Sequence, residues 1–214
     1  MELRAAPQPK RTRANGEASR ERILDAAAVI AGERGFEGTS IKLVSTTSGL
    51  PVSSIYWHFM DKDELIAAVI DRCFHRWLEN FDRAVDVPVD ASRDEMFRIV
   101  LRNTGDALAL YPDFLRLGLM LILERRPVEP TARKKFVETR RTAAERIKTF
   151  YATFFSALSG NEIESLVTLS VALADGLFVA EQVEGLELAN SFDLMATAIL
   201  STAQAFSDAR STTH

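Results

Sequence analysis

The chain has 214 residues, of which 47% are hydrophobic and 26% are charged, so it can form a sizeable core and is not a wholly disordered chain. Its formal net charge is -4, which by itself argues against a nucleic-acid partner. However, residues 1–62 contain 9 Lys or Arg and 7 Asp or Glu, so the positive charge is concentrated at one end.

The cysteine and histidine content is low. Cys73 is the single cysteine and excludes an intrachain disulfide, and the three histidines offer no Cys/His cluster at metal-ligand spacing. We therefore expect a reducing compartment, no metal and no cofactor. The polar, basic first residues lack the apolar core of a signal peptide, and the longest uninterrupted run of large apolar residues, Leu119 to Leu123, is too short to span a bilayer. The sequence predicts a cytoplasmic protein without a membrane partner.

Residues 1–18 are predicted to form a disordered basic arm. They are rich in Pro, Ala and Gly, have no hydrophobic periodicity and carry the cluster Lys10, Arg11 and Arg13. Such a cluster is either a solubilising tail or a contact to DNA, and composition leaves both interpretations open.

Helical spacing of apolar residues begins at Ser19. The first helix should end at Gly35, because glycine can adopt the left-handed conformation there. Ser40 then provides a hydroxyl that can cap a short second helix. This helix is expected to stop at Gly49.

Pro51 is suited to the first turn of a third helix, because its fixed backbone angle fits there and its missing amide costs nothing. The helix is expected to run to Phe59. Ile55 and Phe59 are four residues apart and should point inward together. The outward face then consists of Val52, Ser53, Tyr56 and Trp57.

A long fourth helix is predicted after Asp61, which is a plausible N-cap, and should end near Asp86 to Pro88. Proline and glycine residues mark the breaks between the later helices. These are predicted at about residues 91–110, 112–126, 131–158, 161–184 and 190–207. No long segment alternates with period two, so the fold class is all-α.

Two short helices joined by a glycine-containing turn and preceded by a supporting helix form a helix-turn-helix pattern, which also fits a small core. Three segments resemble the N-terminal domain of the TetR family: residues 22–27 (RILDAA), 34–41 (RGFEGTSI) and 48–59 (SGLPVSSIYWHF). The resemblance continues through residues 62–65 (KDEL) and covers about residues 19–70. It implies a helix-turn-helix domain at 19–64 and a helical bundle for ligand binding and dimerisation at 65–214.

The resemblance implies that side chains of the second, third and fourth helices contact double-stranded operator DNA. These are Ser40, Lys42, Val52, Ser53, Ser54, Tyr56, His58 and Lys62. Trp57 joins them because two adjacent residues on one short helix cannot both face inward. Residues 51–59 contain no Arg, Lys, Asn or Gln for bidentate base contacts, so we expect specificity from DNA shape and from Arg11 or Arg13 entering the minor groove.

The last two predicted helices carry apolar stripes with interspersed small residues. These stripes can pack in the core of the same chain. Alternatively, they can form a dimer interface, because in the TetR family the corresponding helices form a four-helix interface in a homodimer. The candidates for this interface are Leu166, Leu169, Leu173, Leu177, Ala180, Leu194 and Ala198.

The middle helices are rich in aromatic residues, most of which should pack in the core. Asn103 and Arg140 are polar residues on otherwise apolar stripes, and a buried polar group needs a partner, which may be a side chain, water or a ligand. The candidate contacts to a small, mostly apolar effector are His75, Trp77, Asn80, Asn103, Tyr111, Phe114, Arg140 and Phe150. The resemblance implies a repressor released from DNA when the effector binds.

The alternatives to this function are an enzyme and a DNA-binding protein without a small-molecule response. An enzyme is disfavoured, because the sequence has no glycine-rich phosphate loop and no nucleophile motif, and Glu124 and Asp175 are isolated carboxylates on helices. A DNA-binding protein of the same fold without a small-molecule response remains an alternative, acting architecturally or through a protein partner.

Overall fold

The computed structural model describes residues 9–81, 88, 90–124 and 130–211. Within these ranges the chain forms α-helices and no strand, so the predicted all-α class is confirmed. The helices are α1 (Pro9–Gly38), α2 (Ile41–Ser48), α3 (Val52–His58), α4 (Lys62–Phe81), α5 (Arg93–Leu110), α6 (Asp113–Leu123), α7 (Thr131–Phe154), α8 (Gly160–Glu184) and α9 (Leu188–Ser211).

The chain divides into two compact units. The first comprises the described parts of residues 1–72 and 116–136, and the second those of 73–115 and 137–214. The sequence assigned residues 116–136 to the C-terminal domain, but they belong to the first unit. Periodicity does not reveal this, because it shows which face of a helix is buried and not which helix covers it.

The largest difference from the predicted helices is at the start of α1, which begins at Pro9 and not at Ser19. Residues 9–18 are therefore helical, where the sequence predicted disorder. Proline is tolerated in a first turn, and residues 14–18 include alanine and glutamate, which favour helix. In addition, the Ser19 hydroxyl donates a hydrogen bond to the Asn15 carbonyl. The predicted disorder of residues 1–8 lies outside the described residues.

Gly35 interrupts the helical backbone of α1 with φ 69° and ψ -176°, which confirms that the first regular helix stops there. The positive φ requires glycine, although the extended ψ differs from the expected left-handed helical conformation. A Cβ atom at Gly35 would lie 2.5 Å from the Cε atom of Met120. The buried Thr39 hydroxyl donates to the Gly35 carbonyl over 2.8 Å and holds the turn that leads into α2.

The predicted caps of α2 and α4 are confirmed. Ser40 caps α2 by accepting a hydrogen bond from the Leu43 amide over 3.2 Å. Gly49 ends α2 in the left-handed conformation, with φ 65° and ψ 22°. Asp61 Oδ1 accepts from the Glu64 amide over 2.8 Å at the start of α4. Each of these contacts joins residues only a few positions apart, so the local sequence sets where α2 ends and where α2 and α4 begin.

The core of the first unit is formed by apolar residues of its helices, including Ile23, Leu24, Ala27, Val44, Ile55, Phe59, Leu65, Ile66, Leu117, Leu121 and Phe136. The start of α7 is bound to the start of α4, because the amides of Thr131 and Ala132 both donate to the Asp63 carboxylate. This carboxylate supplies a partner for the free amides of a helix N-terminus.

The second unit is built on α9, against which both α5 and α8 pack. Its buried residues include Phe97, Leu101, Leu108, Tyr151, Ile163, Leu166, Phe178, Phe192 and Ile199. Phe97 lies at the centre of an aromatic cluster and stacks on Phe150 with ring centroids 5.9 Å apart. Gly105 permits a close approach of α5 to α9, since a Cβ atom there would lie 3.0 Å from the Leu188 carbonyl oxygen.

Gly118 tests how tightly the first unit is packed. A Cβ atom at this position would lie 1.9 Å from Cε2 of Phe136, which has no exposed surface. We expect Gly118→Ala to lower the free energy of unfolding by about 1–3 kcal/mol, because a close-packed core tolerates added volume only with strain. Urea unfolding followed by circular dichroism at one protein concentration measures the change.

Gly160→Ala is the matched control, since a Cβ atom at Gly160 has no atom within 4 Å. Its urea midpoint should equal or slightly exceed that of the wild type, because alanine is the better helix former. A Gly118→Ala midpoint unchanged from the wild type would contradict the packing described here.

Candidate nucleic-acid interface and cavity

α3 has one buried and one exposed face, as the sequence predicted. Ile55 and Phe59 are buried beneath it. On the opposite side Tyr56 is 55% exposed and Trp57 is 76% exposed. Two adjacent large aromatic side chains at the surface are unusual for a packing helix, and they form an amphipathic surface suited to a partner.

The other predicted DNA contacts on α2 and α3 lie at the surface or close to it. Lys42, Val52 and Ser53 are exposed and Ser54 is half-buried. Ser40 is exposed, although its hydroxyl already accepts the capping hydrogen bond of α2. The structure therefore brings these residues to the surface of one unit, as a helix-turn-helix contact with DNA requires.

His58 is half-buried beside Trp57, and the two rings meet edge to face with centroids 4.5 Å apart. Burial, and to a smaller extent the positive charge of Arg20, lowers the pKa of His58 below its usual value. The imidazole is therefore neutral at pH 7 and offers a hydrogen bond to a partner, not a charge.

Lys62 is held by two neighbours on α1. Its ammonium lies 3.4 Å from the Glu37 carboxylate and 4.3 Å from the centre of the Phe36 ring. Both contacts fix the position of the ammonium at the start of α4. A phosphate bound by Lys62 would compete with Glu37, so its contribution should be smaller than that of Lys42.

The structure adds residues to this surface that the sequence did not indicate. Asn15, Gly16 and Ser19 of α1 border a depression of about 390 Å³ together with Ser53, Ser54, Trp57 and His58. A Cβ atom at Gly16 would lie 3.6 Å from the Trp57 ring, so α1 approaches α3 closely. Ala14, Glu17 and Ala18 favour helix, and this propensity could have predicted that α1 begins before Ser19. The side chains of Arg11 and Arg13 lie outside the described residues.

The second unit contains a mostly apolar cavity of about 90 Å³ between α5, α6, α7, α8 and α9. The apolar wall comprises Val100, Leu101, Leu108, Phe114, Leu115, Ala143, Ile147, Phe150, Val171, Ala174, Phe192 and Met195. Its polar lining residues are Thr104, Arg140, Tyr151, Ser170 and Asp175. A largely apolar cavity with a few polar groups is the usual form of a small-molecule site.

Three of the eight predicted effector contacts line this cavity, namely Phe114, Arg140 and Phe150. The other described candidates do not. His75 is exposed, Asn103 and Tyr111 are half-buried, and Trp77 is buried against Phe74 and Phe114 at centroid distances of 5.8 and 6.3 Å. The side chain of Asn80 lies outside the described residues.

The polar lining is internally hydrogen-bonded. The Arg140 guanidinium forms a bidentate ion pair with Asp175, whose carboxylate the sequence did not connect to any site. Tyr151 and Ser170 hydroxyl oxygens are 2.7 Å apart, and burial raises the pKa of Tyr151 to about 12. The sequence missed Tyr151, Ser170 and Asp175, because each partner lies on a different helix.

The candidates for a dimer interface divide between core and surface. Leu166 has no exposed surface, so its assignment to an interface is wrong and it belongs to the core of the second unit. Leu169, Leu173, Leu177, Ala180 and Ala198 are half-buried, and Leu194 is 68% exposed. Val179 and Val183 of α8 are also exposed and were not anticipated.

α8 is long and apolar enough to cross a membrane by length and composition, although its unbroken apolar runs are short. Only 28% of its most apolar stretch is buried within the chain. Core helices of soluble proteins can be equally long and apolar, but most of their surface is buried. α8 therefore exposes an apolar surface that another helix can cover.

A family model for bacterial regulatory proteins of the tetR family matches residues 23–69. Among curated proteins, the chain is 22% identical over 94 residues to IcaR, the negative transcriptional regulator of the biofilm operon icaADBC of Staphylococcus epidermidis, covering 43% of this chain and 51% of IcaR. It is 34% identical over 68 residues to the transcriptional regulator UidR of Escherichia coli, covering 32% of this chain and 35% of UidR. The matches thus span about half of these relatives or less.

The fold is similar to that of a TetR-like transcriptional regulator from Rhodococcus sp. RHA1. The TM-score is 0.66, with 18% identity, 92% of this chain and 97% of the other covered. The similarity of fold extends beyond the N-terminal match into the helical body. Together with the match of residues 23–69 to the tetR family model, it confirms the resemblance drawn from the sequence: these residues match the family's N-terminal domain, and the chain has the fold of a TetR-like regulator.

Proposed function

We propose that this chain is a homodimeric transcriptional repressor that binds a palindromic operator in double-stranded DNA and is released by a small, mostly apolar effector. The observation that carries the proposal is the exposure of Tyr56 and Trp57 on α3 above the buried Ile55 and Phe59. This arrangement is what a recognition helix needs, because the inner face holds the helix in position while the outer face contacts the major groove.

The chemistry of the exposed face supports binding through phosphates and DNA shape. The Tyr56 hydroxyl and the Lys42 ammonium are good phosphate partners, whereas Val52 is suited to a thymine methyl group and Ser53 to a single hydrogen bond. Ser40, Ser54, Trp57, His58 and Lys62 complete the proposed contact surface on α2, α3 and α4. Asn15 and Ser19 extend it along α1, beside the depression that they share with Ser53.

A dimer follows from the apolar surface of the last two helices. Val183 and Leu194 are 77% and 68% exposed, and the half-buried residues Leu169, Leu173, Leu177, Ala180 and Ala198 lie on the same two helices. Burying such a surface against a second copy removes apolar area from water. A two-fold symmetric dimer would place two recognition helices on a palindrome.

Effector control is supported by the cavity and by the helix that connects it to the first unit. Arg140, Ala143 and Ile147 of α7 line the cavity. The same helix begins at Thr131, whose amide donates to Asp63 near the start of α4. An effector that favours one position of α7 would therefore act on α4, and only a difference in its affinity for the two states can shift the equilibrium.

Selection from fragmented genomic DNA of the host tests the DNA-binding function. We expect the wild-type protein to enrich a two-fold symmetric motif. Tyr56→Ala should bind that motif about 10-fold more weakly, since it loses a phosphate hydrogen bond of about 1.4 kcal/mol. Leu110→Ala is the control, because Leu110 is an exposed residue of the second unit, and it should bind as the wild type does. Absence of an enriched motif from protein freed of small molecules by denaturation and refolding would overturn the proposal.

The salt dependence of operator binding separates the two lysines. Lys42→Gln should reduce the slope of log affinity against log salt by about 1 per protomer, as expected when one phosphate contact is lost. Lys62→Gln should reduce it less, because Glu37 already neutralises that ammonium. Lys148→Gln, whose lysine pairs with Glu164 in the second unit, serves as the control. Equal slopes for Lys42→Gln and the wild type would contradict the assignment.

Analytical ultracentrifugation tests the interface. The double variant Val183→Glu and Leu194→Glu should sediment as a monomer, because two carboxylates would be buried without partners. Leu110→Glu changes an equally exposed residue of α5 and should remain a dimer. A monomeric wild-type protein, or a double variant that stays dimeric, would show that α8 and α9 do not form the interface.

A further inference from the structure

Three hydroxyl side chains line the cavity of the second unit: Thr104, Tyr151 and Ser170. A hydroxyl has one proton to donate and two lone pairs with which to accept. Where these protons are directed therefore decides which ligand groups the cavity can satisfy.

The proton of Ser170 is used within α8. Its Oγ atom lies 2.8 Å from the Leu166 carbonyl oxygen, which can only accept, so Ser170 must donate this bond. The Tyr151 hydroxyl lies 2.7 Å from Ser170 Oγ. Since Ser170 has no second proton, Tyr151 is the donor between them. Burial raises the pKa of Tyr151 to about 12, so this proton is present throughout the physiological pH range.

Thr104 has the same restriction. Its hydroxyl donates to the Val100 carbonyl one helical turn earlier, over 2.9 Å. All three cavity hydroxyls thus direct their protons into the protein. They retain only lone pairs with which to bind a ligand, and so act as acceptors.

The charged lining residues neutralise each other. Arg140 Nη1 and Nη2 donate to different oxygens of Asp175, which is the bidentate geometry preferred by such pairs. A carboxylate ligand would have to displace Asp175, and an ammonium ligand would have to displace Arg140. Breaking a partly buried pair leaves a charge without a partner, so the cavity favours a neutral ligand.

We infer that the effector of this cavity is a neutral, mostly apolar molecule that donates a hydrogen bond through a hydroxyl group, such as an alcohol or a phenol. A ketone, ester or ether of the same shape would bring its acceptor against the lone pairs of Thr104, Tyr151 and Ser170, where it meets no donor. This inference rests on the proposed function of the cavity as the effector site, and it adds the chemical class of the effector.

Three probes of nearly equal size, small enough for the cavity, test the inference: cyclopentanol, cyclopentanone and cyclopentane. Isothermal titration calorimetry on the full-length protein measures their affinities. We expect the alcohol to bind at least about 10-fold more tightly than the ketone, which is the usual effect of an unsatisfied buried acceptor. The hydrocarbon reports on the cavity itself, without any hydrogen bond.

Tyr151→Phe removes one acceptor oxygen and keeps the ring, and Thr104→Val removes another with little change of shape. Each variant should reduce the preference for the alcohol over the ketone to about 3-fold or less, while the affinity for the hydrocarbon is maintained. Tyr111→Phe is the matched control, because Tyr111 does not line the cavity, and it should keep the wild-type preference. If Tyr151→Phe does not fold, Thr104→Val and the wild-type comparison still test the inference.

The outcomes separate the inference from the proposed function. Equal or tighter binding of the ketone, with the hydrocarbon still bound, would overturn the inferred class of effector and leave the cavity as a binding site. Failure of all three probes to bind would overturn the cavity as the effector site and the inference with it. Enrichment of a palindromic DNA motif does not depend on either result.

Discussion

The burial of Ile55 and Phe59 is the constraint on which the exposed surface of the first unit depends. α3 has only seven residues and no side-chain cap at its N-terminus, so it is too short to be stable by itself. Its helical state comes from packing of the inner face, and the same packing directs Tyr56 and Trp57 outward. Holding α3 in position and exposing Tyr56 and Trp57 are therefore two consequences of one interaction.

The first unit is also tied to the helix that lines the cavity. Asp63 binds the amides at the start of α7, and Gly118 of α6 lies directly against Phe136 of the same helix. These contacts explain why residues 116–136 group with the helix-turn-helix, although they follow α5 in the chain. Beyond residue 136, α7 belongs to the second unit, where Arg140 lines the cavity.

The polar groups of the cavity are already satisfied by the protein. The hydroxyl protons of Thr104, Tyr151 and Ser170 point to protein acceptors, and Arg140 is paired with Asp175. These hydrogen bonds stabilise the protein, since buried polar atoms without partners are costly. In the proposed effector site the same hydrogen bonds would restrict the ligand to molecules that complement the remaining lone pairs of the three hydroxyls.

The sequence by itself determined the order of the helices from Ser19 onward, the caps at Ser40 and Asp61, and the inward face of α3, because these depend on residues within one or two turns of each other. Only the tertiary structure decided that Tyr151 meets Ser170 and that Arg140 meets Asp175, since these partners lie 19 and 35 residues apart on different helices. It likewise decided that Leu166 is buried and Leu194 exposed. Periodicity identifies an apolar stripe, but the helix that covers the stripe is set by packing between segments distant in the chain.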